Sequence, residues 1–172
     1  MSVPMIYLKL EVKGKPVLGE SRLKDYEDQI EIDSLSWSAT AEHPGMGANQ
    51  KARTEVRPKS LRLGKVFDKA STNLCLHMNK REGFTKATIT VMSMVLSGPD
   101  DKNIKLMTIE LNDGYIEALD LSASESGKSM AVKENLTLSF KKCKLQYYPA
   151  DLQQGGRAAP TTFDLQAASV GG

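Results

Sequence analysis

The chain has 172 residues, of which 40% are hydrophobic and 26% are charged, a composition typical of one globular domain with a single sizeable core. Lysine and arginine number 23 against 21 aspartates and glutamates, which leaves a net charge of +2 and argues against a strong nucleic-acid or anionic-membrane binder. The apolar runs are only a few residues long, which argues against an integral membrane protein.

Alternation of apolar and polar residues is the dominant pattern in the first part of the chain. Residues 6–12 alternate in this way and predict a half-buried first strand. The alternation changes phase between Ile32 and Leu35, which predicts a β-bulge near Asp33 and Ser34. Residues 41–50 have two glycines, one proline and no periodicity, so they predict a long loop of the kind that is usually functional or mobile.

One short helix is predicted in the middle of the chain. Alternation first returns around Leu61 and Leu63, which predicts another strand. The helix then begins after Asp68 or Ser71, either of which could cap it, and stops before Gly83.

The second half of the chain predicts further strands separated by turns. The cluster 97–101 predicts a turn between a strand around 87–92 and a second strand over 103–111. Asp113 and Gly114 predict a tight turn into a third strand over 115–121.

The end of the chain predicts a loop, a bend and a short strand. Residues 122–129 predict a polar loop, and a phase change near Lys141 and Lys142 predicts a second bulge. After about residue 150 the tail is either flexible or forms a last short strand around Phe163 and Leu165.

The pattern as a whole predicts a mainly β fold made of one domain over residues 1–172. About eight short strands, one small helix and bulges that bend a sheet fit a closed antiparallel β-barrel or a β-sandwich, and we favour the barrel.

Side chains that commonly carry catalysis or bind metals are few. His77 lies two residues from Cys75 on the predicted helix, so the two side chains point to roughly opposite sides and form no dyad. Two histidines without clustered carboxylates argue against a metal site. The sequence therefore predicts no enzyme, no metal and no cofactor, and it predicts that Cys75 and Cys143 are reduced, buried thiols.

Charge is segregated along the chain although the total is nearly balanced. Residues 51–65 contain six basic side chains against one acidic, whereas residues 20–33 contain six acidic side chains against two basic. Both segments could simply be solvated surface. Alternatively, two opposed patches allow copies of the chain to bind head to tail in rings or filaments.

Four segments, in the same order, resemble the haemolysin-coregulated protein (Hcp) family. They are IEIDSLSWS at 30–38, FDKASTNL at 67–74, ATITV at 87–91, and ENLTLSF at 134–140, the last followed by Tyr147 and Tyr148. The resemblance implies a bent antiparallel β-barrel with one flanking helix, assembled as a hexameric ring. It further implies that such rings stack into the inner tube of the bacterial type VI secretion system.

The resemblance also implies partners and a route out of the cell. Family members bind further copies of themselves, a VgrG-type spike trimer, a contractile sheath and effector proteins, with no nucleic acid and no insertion into a membrane. Residues 1–10 carry no ordinary secretory signal. The expected course is therefore cytoplasmic synthesis followed by delivery through type VI secretion without a signal peptide.

Site residues follow from the positions that match the family. Ser38 matches a lumen-facing serine associated with effector contact, whereas the preceding Trp37 is expected to pack in the core. The loop over 41–50 matches in position the family's extended loop, which is implicated in ring stacking. The stacking candidates are therefore His43, Met46, Arg53 and Arg57.

Two other functions remain open at this point. One is a monomeric β-barrel that binds a small apolar ligand in its mouth, and the other is the tail-tube protein of a different contractile machine.

Overall fold

A computed structural model describes residues 5–42, 55–95, 102–149 and 159–166. This part of the chain is mainly β, as the sequence predicts. None of its helices is long and apolar enough to span a membrane. Its elements, in chain order, are β1 (Ile6–Val12), β2 (Lys15–Pro16), β3 (Ile30–Ile32), β4 (Ser34–Ser36), β5 (Ala39–Glu42), β6 (Glu55–Pro58), β7 (Leu61–Val66), α1 (Lys69–Asn79), β8 (Phe84–Val95), β9 (Lys102–Ser126), β10 (Ser129–Ser139), β11 (Lys142–Tyr147) and β12 (Thr161–Gln166).

One antiparallel sheet contains most of these strands. Its main path runs β2-β1-β8-β9-β10-β7-β4, with β3 beside β1 and with β11 and β12 beyond β9. Strand β9 is 25 residues long and serves both parts of the sheet. Its first half pairs with β8 and β11, and its second half pairs with β10. The strand therefore bends and carries the chain from one packed layer to the other.

Two predicted interruptions of β9 are wrong. Asp113 has a positive φ of 54°, as the Asp-Gly step suggests, but the strand bends there and continues. A positive φ suits a bulge as well as a hairpin turn, so the dipeptide did not distinguish the two. The predicted loop over 122–129 is also mostly strand, because β9 continues to Ser126 and only Gly127 and Lys128 make the turn.

The phase change near Asp33 and Ser34, predicted as a β-bulge, is instead a break between two strands at which the pairing partner changes. Strand β3 pairs with β1, whereas β4, which begins after Asp33, pairs with β7. The N–H of Asp33 donates to the carbonyl of Gly64 at 2.7 Å. In the described residues the predicted barrel is therefore not closed by continuous hydrogen-bonded pairing, because the pairing is interrupted at Asp33, between β3 and β4.

Strands β5 and β6 form a separate two-stranded sheet. The predicted loop was placed from residue 41, but Ala41 and Glu42 still belong to β5. The rest of that loop and the predicted turn at 97–101 lie outside the described residues. The last predicted strand, around Phe163 and Leu165, is confirmed as β12.

The core lies between the inward rows of the bent sheet and is covered at one side by α1. Alternation in β1 is confirmed from Leu8 onward, since Leu8 and Leu10 are fully buried and Lys9 is exposed, but Tyr7, expected on the outward side with Lys9, is also buried. Helix α1 adds Ala70 and Leu74 to the same core. The helix is capped as predicted, because Asp68 accepts from the N–H of Ala70 at 3.0 Å and Ser71 Oγ accepts from the N–H of Asp68 at 3.0 Å.

The two cysteines are free thiols. Cys143 is buried, as predicted, whereas Cys75 on α1 is only half-buried. Burial, with a smaller effect from the Asp164 carboxylate, raises the pKa of Cys143 to about 11. The Cys143 thiol is therefore protonated and unreactive near neutral pH.

Lys65 was counted with the basic side chains of residues 51–65, but it does not lie on the surface with them. It is 1% exposed, and it lies inside the core beneath α1. Its Nζ contacts Glu134 Oε2 at 3.0 Å, Asp68 Oδ1 at 2.8 Å and Ser71 Oγ at 2.9 Å. The lysine faces the core because it keeps the inward phase of Leu61 and Leu63 in β7. It therefore connects the helix cap to β10.

Candidate functional site

The outward side of β4, β7, β10 and the second half of β9 forms an open concavity of about 1280 Å³. Its side chains alternate with those of the core, so that in β7 Leu61 and Leu63 point inward while Arg62 and Gly64 line the concavity. Gly64 lies between Ser34 and Asn135 on the neighbouring strands. The small lining residues are Ser34, Ser36, Gly64, Ala118, Asn135 and Thr137. We call this surface the concave face.

Ser38 is exposed and lies at the rim of the concave face. Its position is fixed by the backbone, since its carbonyl accepts from the N–H of Lys59 at 3.0 Å. The neighbouring Trp37 donates from Nε1 to the carbonyl of Lys59 at 2.9 Å and is packed against the core, with its ring 6.5 Å from that of Phe140. Trp37 is half-buried: it packs against the core, as predicted, and it also lines the concave face.

Charges on the concave face are balanced. Lys59 and Arg62 are opposed by Glu117 and Asp120, and the Ser60 hydroxyl donates a hydrogen bond to Glu117. Such a surface can exchange hydrogen bonds with a solvated protein, but it lacks the predominantly apolar lining typical of small-ligand pockets. This polarity disfavours the interpretation of the chain as a barrel that binds a small apolar ligand.

The stacking candidates are only partly within the described residues. Arg57 lies on β6, where it is exposed and opposite Thr40 of β5. His43, Met46 and Arg53 lie outside the described residues. The structure thus places Arg57 on the small β5–β6 sheet, beside Pro58 and Lys59 at the rim of the concave face.

A second group of polar side chains lies at the end of α1, around a small groove of about 350 Å³. Glu82 is the centre of the group, because its Oε2 contacts His77 Nδ1 at 2.7 Å and its Oε1 accepts from Lys13 Nζ at 2.6 Å. Glu82 is not among the residues predicted from the sequence. Its carboxylate is used by two neighbours, and no group of three or more metal-ligating residues occurs in the described ranges. The group therefore holds the end of α1 to the turn after β1.

The Glu82 interactions predict a pH-dependent stability. Hydrogen bonds from Lys13 and His77 lower the pKa of Glu82 from 4.5 to about 2. A lowered pKa in the folded state means that the carboxylate stabilises the fold above pH 4.5 and loses this effect as the pH falls from 4.5 to about 2. We expect Glu82→Gln to melt at a lower temperature than wild type at neutral pH and at the same temperature near pH 2.

Thermal unfolding followed by circular dichroism across this pH range measures the difference. Glu27→Gln, at an exposed carboxylate, serves as the control. A gap between wild type and Glu82→Gln that stays constant with pH would contradict the assignment.

The sequence matches one family model, and the fold matches that of several solved structures. The family model described as "Type VI secretion system effector, Hcp" matches residues 7–147. None of the curated proteins compared with the chain matches it significantly.

Solved structures share the fold at low sequence identity. Hcp1 of Escherichia coli EAEC 042 superposes with a TM-score of 0.72 at 13% identity, covering 96% of this chain and 99% of that one. Hcp1 of Salmonella typhimurium gives 0.66 at 20% identity, with 94% of each chain covered. The secreted protein Hcp3 of Pseudomonas aeruginosa gives 0.67 at 16% identity, with 95% and 98% covered.

Proposed function

The chain belongs to the Hcp family of type VI secretion proteins, and we propose that it is a structural subunit of the secretion tube, assembled as a homohexameric ring whose rings stack. The observation that carries the proposal is the family match over residues 7–147, which includes the helix and all strands of the sheet except β12 and the first residue of β1. A tube subunit acts through its shape and surfaces, so we assign it no catalytic role.

We propose that the concave face lines the lumen of the ring. Ser38 is the residue that the resemblance places in the lumen, and it lies at the rim of this face. The small polar side chains and balanced charges there suit a conduit, because they can exchange hydrogen bonds with the polar surface of a folded cargo. Effector proteins are therefore the partners proposed for this surface.

The other partners are proposed from membership of the family. They are a contractile sheath, a VgrG-type spike trimer and neighbouring rings, with no nucleic acid and no membrane insertion. The proposed course is synthesis in the cytoplasm and delivery by type VI secretion without a signal peptide.

Native mass spectrometry at moderate ionic strength tests the ring. Six subunits of 18.8 kDa give about 113 kDa. That mass is expected, and it would exclude the monomeric ligand-binding barrel. A protein that stays at the monomer mass would contradict the ring. The tail-tube protein of another contractile machine would be distinguished by the sheath and spike proteins that the hexamer binds.

Ser38 provides a specific test of the lumen. We expect Ser38→Phe to leave the hexamer intact, because the side chain is exposed and only its backbone is engaged. The larger ring would narrow the lumen and reduce the amount of a cognate effector retained by the purified ring. Thr72→Phe, at an exposed position on α1, is the control. Equal retention by the two variants would remove Ser38 from the site.

Stacking is proposed to depend on the basic surface around β6. We expect the double variant Arg57→Glu/Lys59→Glu to form rings that no longer stack. The reversed charges would repel the acidic segment 20–33 of the next ring. In wild type, added salt should likewise release stacks while rings persist. Lys15→Glu is the matched control, at an exposed lysine on β2. Sedimentation that shows stacks unaffected by both salt and charge reversal would refute the electrostatic contribution.

A further inference from the structure

The hairpin formed by β9 and β10 extends beyond the rest of its sheet. Strand β7 stops pairing with β10 at Lys133, opposite Val66, whereas β9 and β10 stay paired as far as Ser126 and Ser129. We call residues 121–132 the arm. In the described part of the chain no strand pairs with either outer edge of the arm, although the N–H of Phe67 donates to the carbonyl of Val132 at the base of the arm at 3.0 Å. A two-stranded hairpin with so little further pairing is marginally stable in water. The arm therefore needs a further surface.

One side of the arm is apolar and continues the core face of the sheet. Leu121 lies opposite the buried Glu134, and Ala123 lies opposite Val132 in the same phase. Leu121 is 54% exposed, Met130 is 62% exposed and Val132 is 37% exposed. We call these three residues the arm row. Strand alternation places them on one face together with Ala123, and the exposed Glu125, which lies opposite Met130, borders this apolar surface near the tip of the hairpin.

A second exposed apolar row lies on the opposite margin of the sheet. Phe163 of β12 pairs with Leu145 of β11, and Tyr147 lies two residues further along the same face. Tyr147 is 43% exposed and Phe163 is 50% exposed, while Leu145 and Leu165 beside them pack against the core. We call Tyr147 and Phe163 the edge row. In the described ranges β12 pairs only with β11, so its other side is an open strand edge.

We infer that the arm row of one subunit packs on the edge row of the next copy of this chain around the ring. This inference rests on the proposed hexamer and deepens it by naming the two surfaces. An open strand edge bordered by apolar side chains can bind another strand edge of the same kind. The chain has two such edges, one on the arm and one on β12. Two different surfaces that bind each other make a heterologous contact, which forms a ring when the rotation between neighbours closes, as in the proposed hexamer, whereas a self-complementary surface stops at a dimer.

Two interface variants test the assignment. The arm variant is Leu121→Glu/Met130→Glu, and the edge variant is Tyr147→Glu/Phe163→Glu. All four positions are exposed in the subunit, so charged side chains there should leave its fold intact. The control is Leu76→Glu, at a residue of α1 that is 44% exposed. Far-UV circular dichroism checks folding, and native mass spectrometry measures assembly.

We expect each interface variant alone to lose the hexamer and to run at 18.8 kDa, while the control stays hexameric. Mixing the two variants should give a species of two subunits and nothing larger. In that species the intact arm of the edge variant binds the intact edge of the arm variant. The other two surfaces carry the glutamate substitutions and cannot bind a further subunit. If a variant proves unfolded, Met130→Gln and Phe163→Gln take its place, with an expected rise of at least tenfold in the concentration at which the hexamer dissociates.

The results that would overturn the inference differ from those that would overturn the ring. A hexameric wild type whose arm or edge variant stays hexameric would reject these surfaces and leave the ring standing. A mixture that remains monomeric would show that the two rows do not meet, and a control that also dissociates would show that the effect is not specific to them. A monomeric wild type would reject the proposed ring itself.

Discussion

Replacing Lys65 with methionine should lower the free energy of unfolding by about 3–5 kcal/mol, the usual cost of removing one partner of a buried ion pair. Lys65 and Glu134 are both fully buried and 3.0 Å apart, and Lys65 also contacts Asp68 at 2.8 Å. Without the Lys65 ammonium, the carboxylates of Asp68 and Glu134 remain beneath α1 with no cation between them. Their desolvation is then uncompensated, so the loss exceeds that of a simple cavity.

Urea denaturation at matched protein concentration measures the effect. The control is Lys133→Met, because Lys133 is adjacent to Glu134 but exposed, and it should change stability by less than about 0.5 kcal/mol. The double variant Lys65→Met/Glu134→Leu removes both charges and should be more stable than Lys65→Met alone. A double variant that is less stable than the single one would show that the pair is not coupled as the distances indicate.

Replacing Gly114 with alanine should destabilise the fold by about 3 kcal/mol, at the upper end of the usual cost of overpacking. A Cβ at this position would lie 1.9 Å from the carbonyl oxygen of Ser139 and 2.3 Å from Cζ of Phe84. The carbonyl belongs to the backbone of β10 and Phe84 is 3% exposed, so neither can move without disturbing the bend of β9. The strands themselves must therefore shift.

Gly64→Ala is the matched control for this substitution, because Gly64 also lies within a strand. A Cβ there would lie 2.4 Å from Ser34 Oγ, which is the end of a short exposed side chain that can rotate away. We expect the control to cost about 1 kcal/mol or less. Thermal unfolding of both variants checks the difference, and an equal loss for the two would contradict the close approach at Gly114.

Much of the fold was predictable because alternation reports burial directly. The inward row of β1, the capped helix after Asp68 and the change of phase near Asp33 all follow from local patterns, whereas the exchange of strand partners at Asp33 does not. Strand β9 was not predictable as one element, since a residue with positive φ at Asp113 fits both a turn and a bend. Only the distant carbonyl of Ser139, which approaches Gly114, decides between them.

The candidate site was predictable in position and less so in its surroundings. Ser38 lies at the rim of the concave face, but the shape of that face depends on pairings between segments far apart in the chain. Counting charges along the sequence assigned Lys65 to the surface, because a linear count ignores which side of a strand a residue occupies. The inward phase of Leu61 and Leu63 was the signal that could have corrected this.

The long strand β9 has a consequence for how the subunit unfolds. Its first half pairs with β8 and β11 on one layer and its second half pairs with β10 on the other, so the one strand links the two layers of the subunit. Amide protons in the middle of β9 should consequently exchange with deuterium only through global unfolding. Because these ladders connect residues distant in the chain, the subunit should also fold slowly for its size.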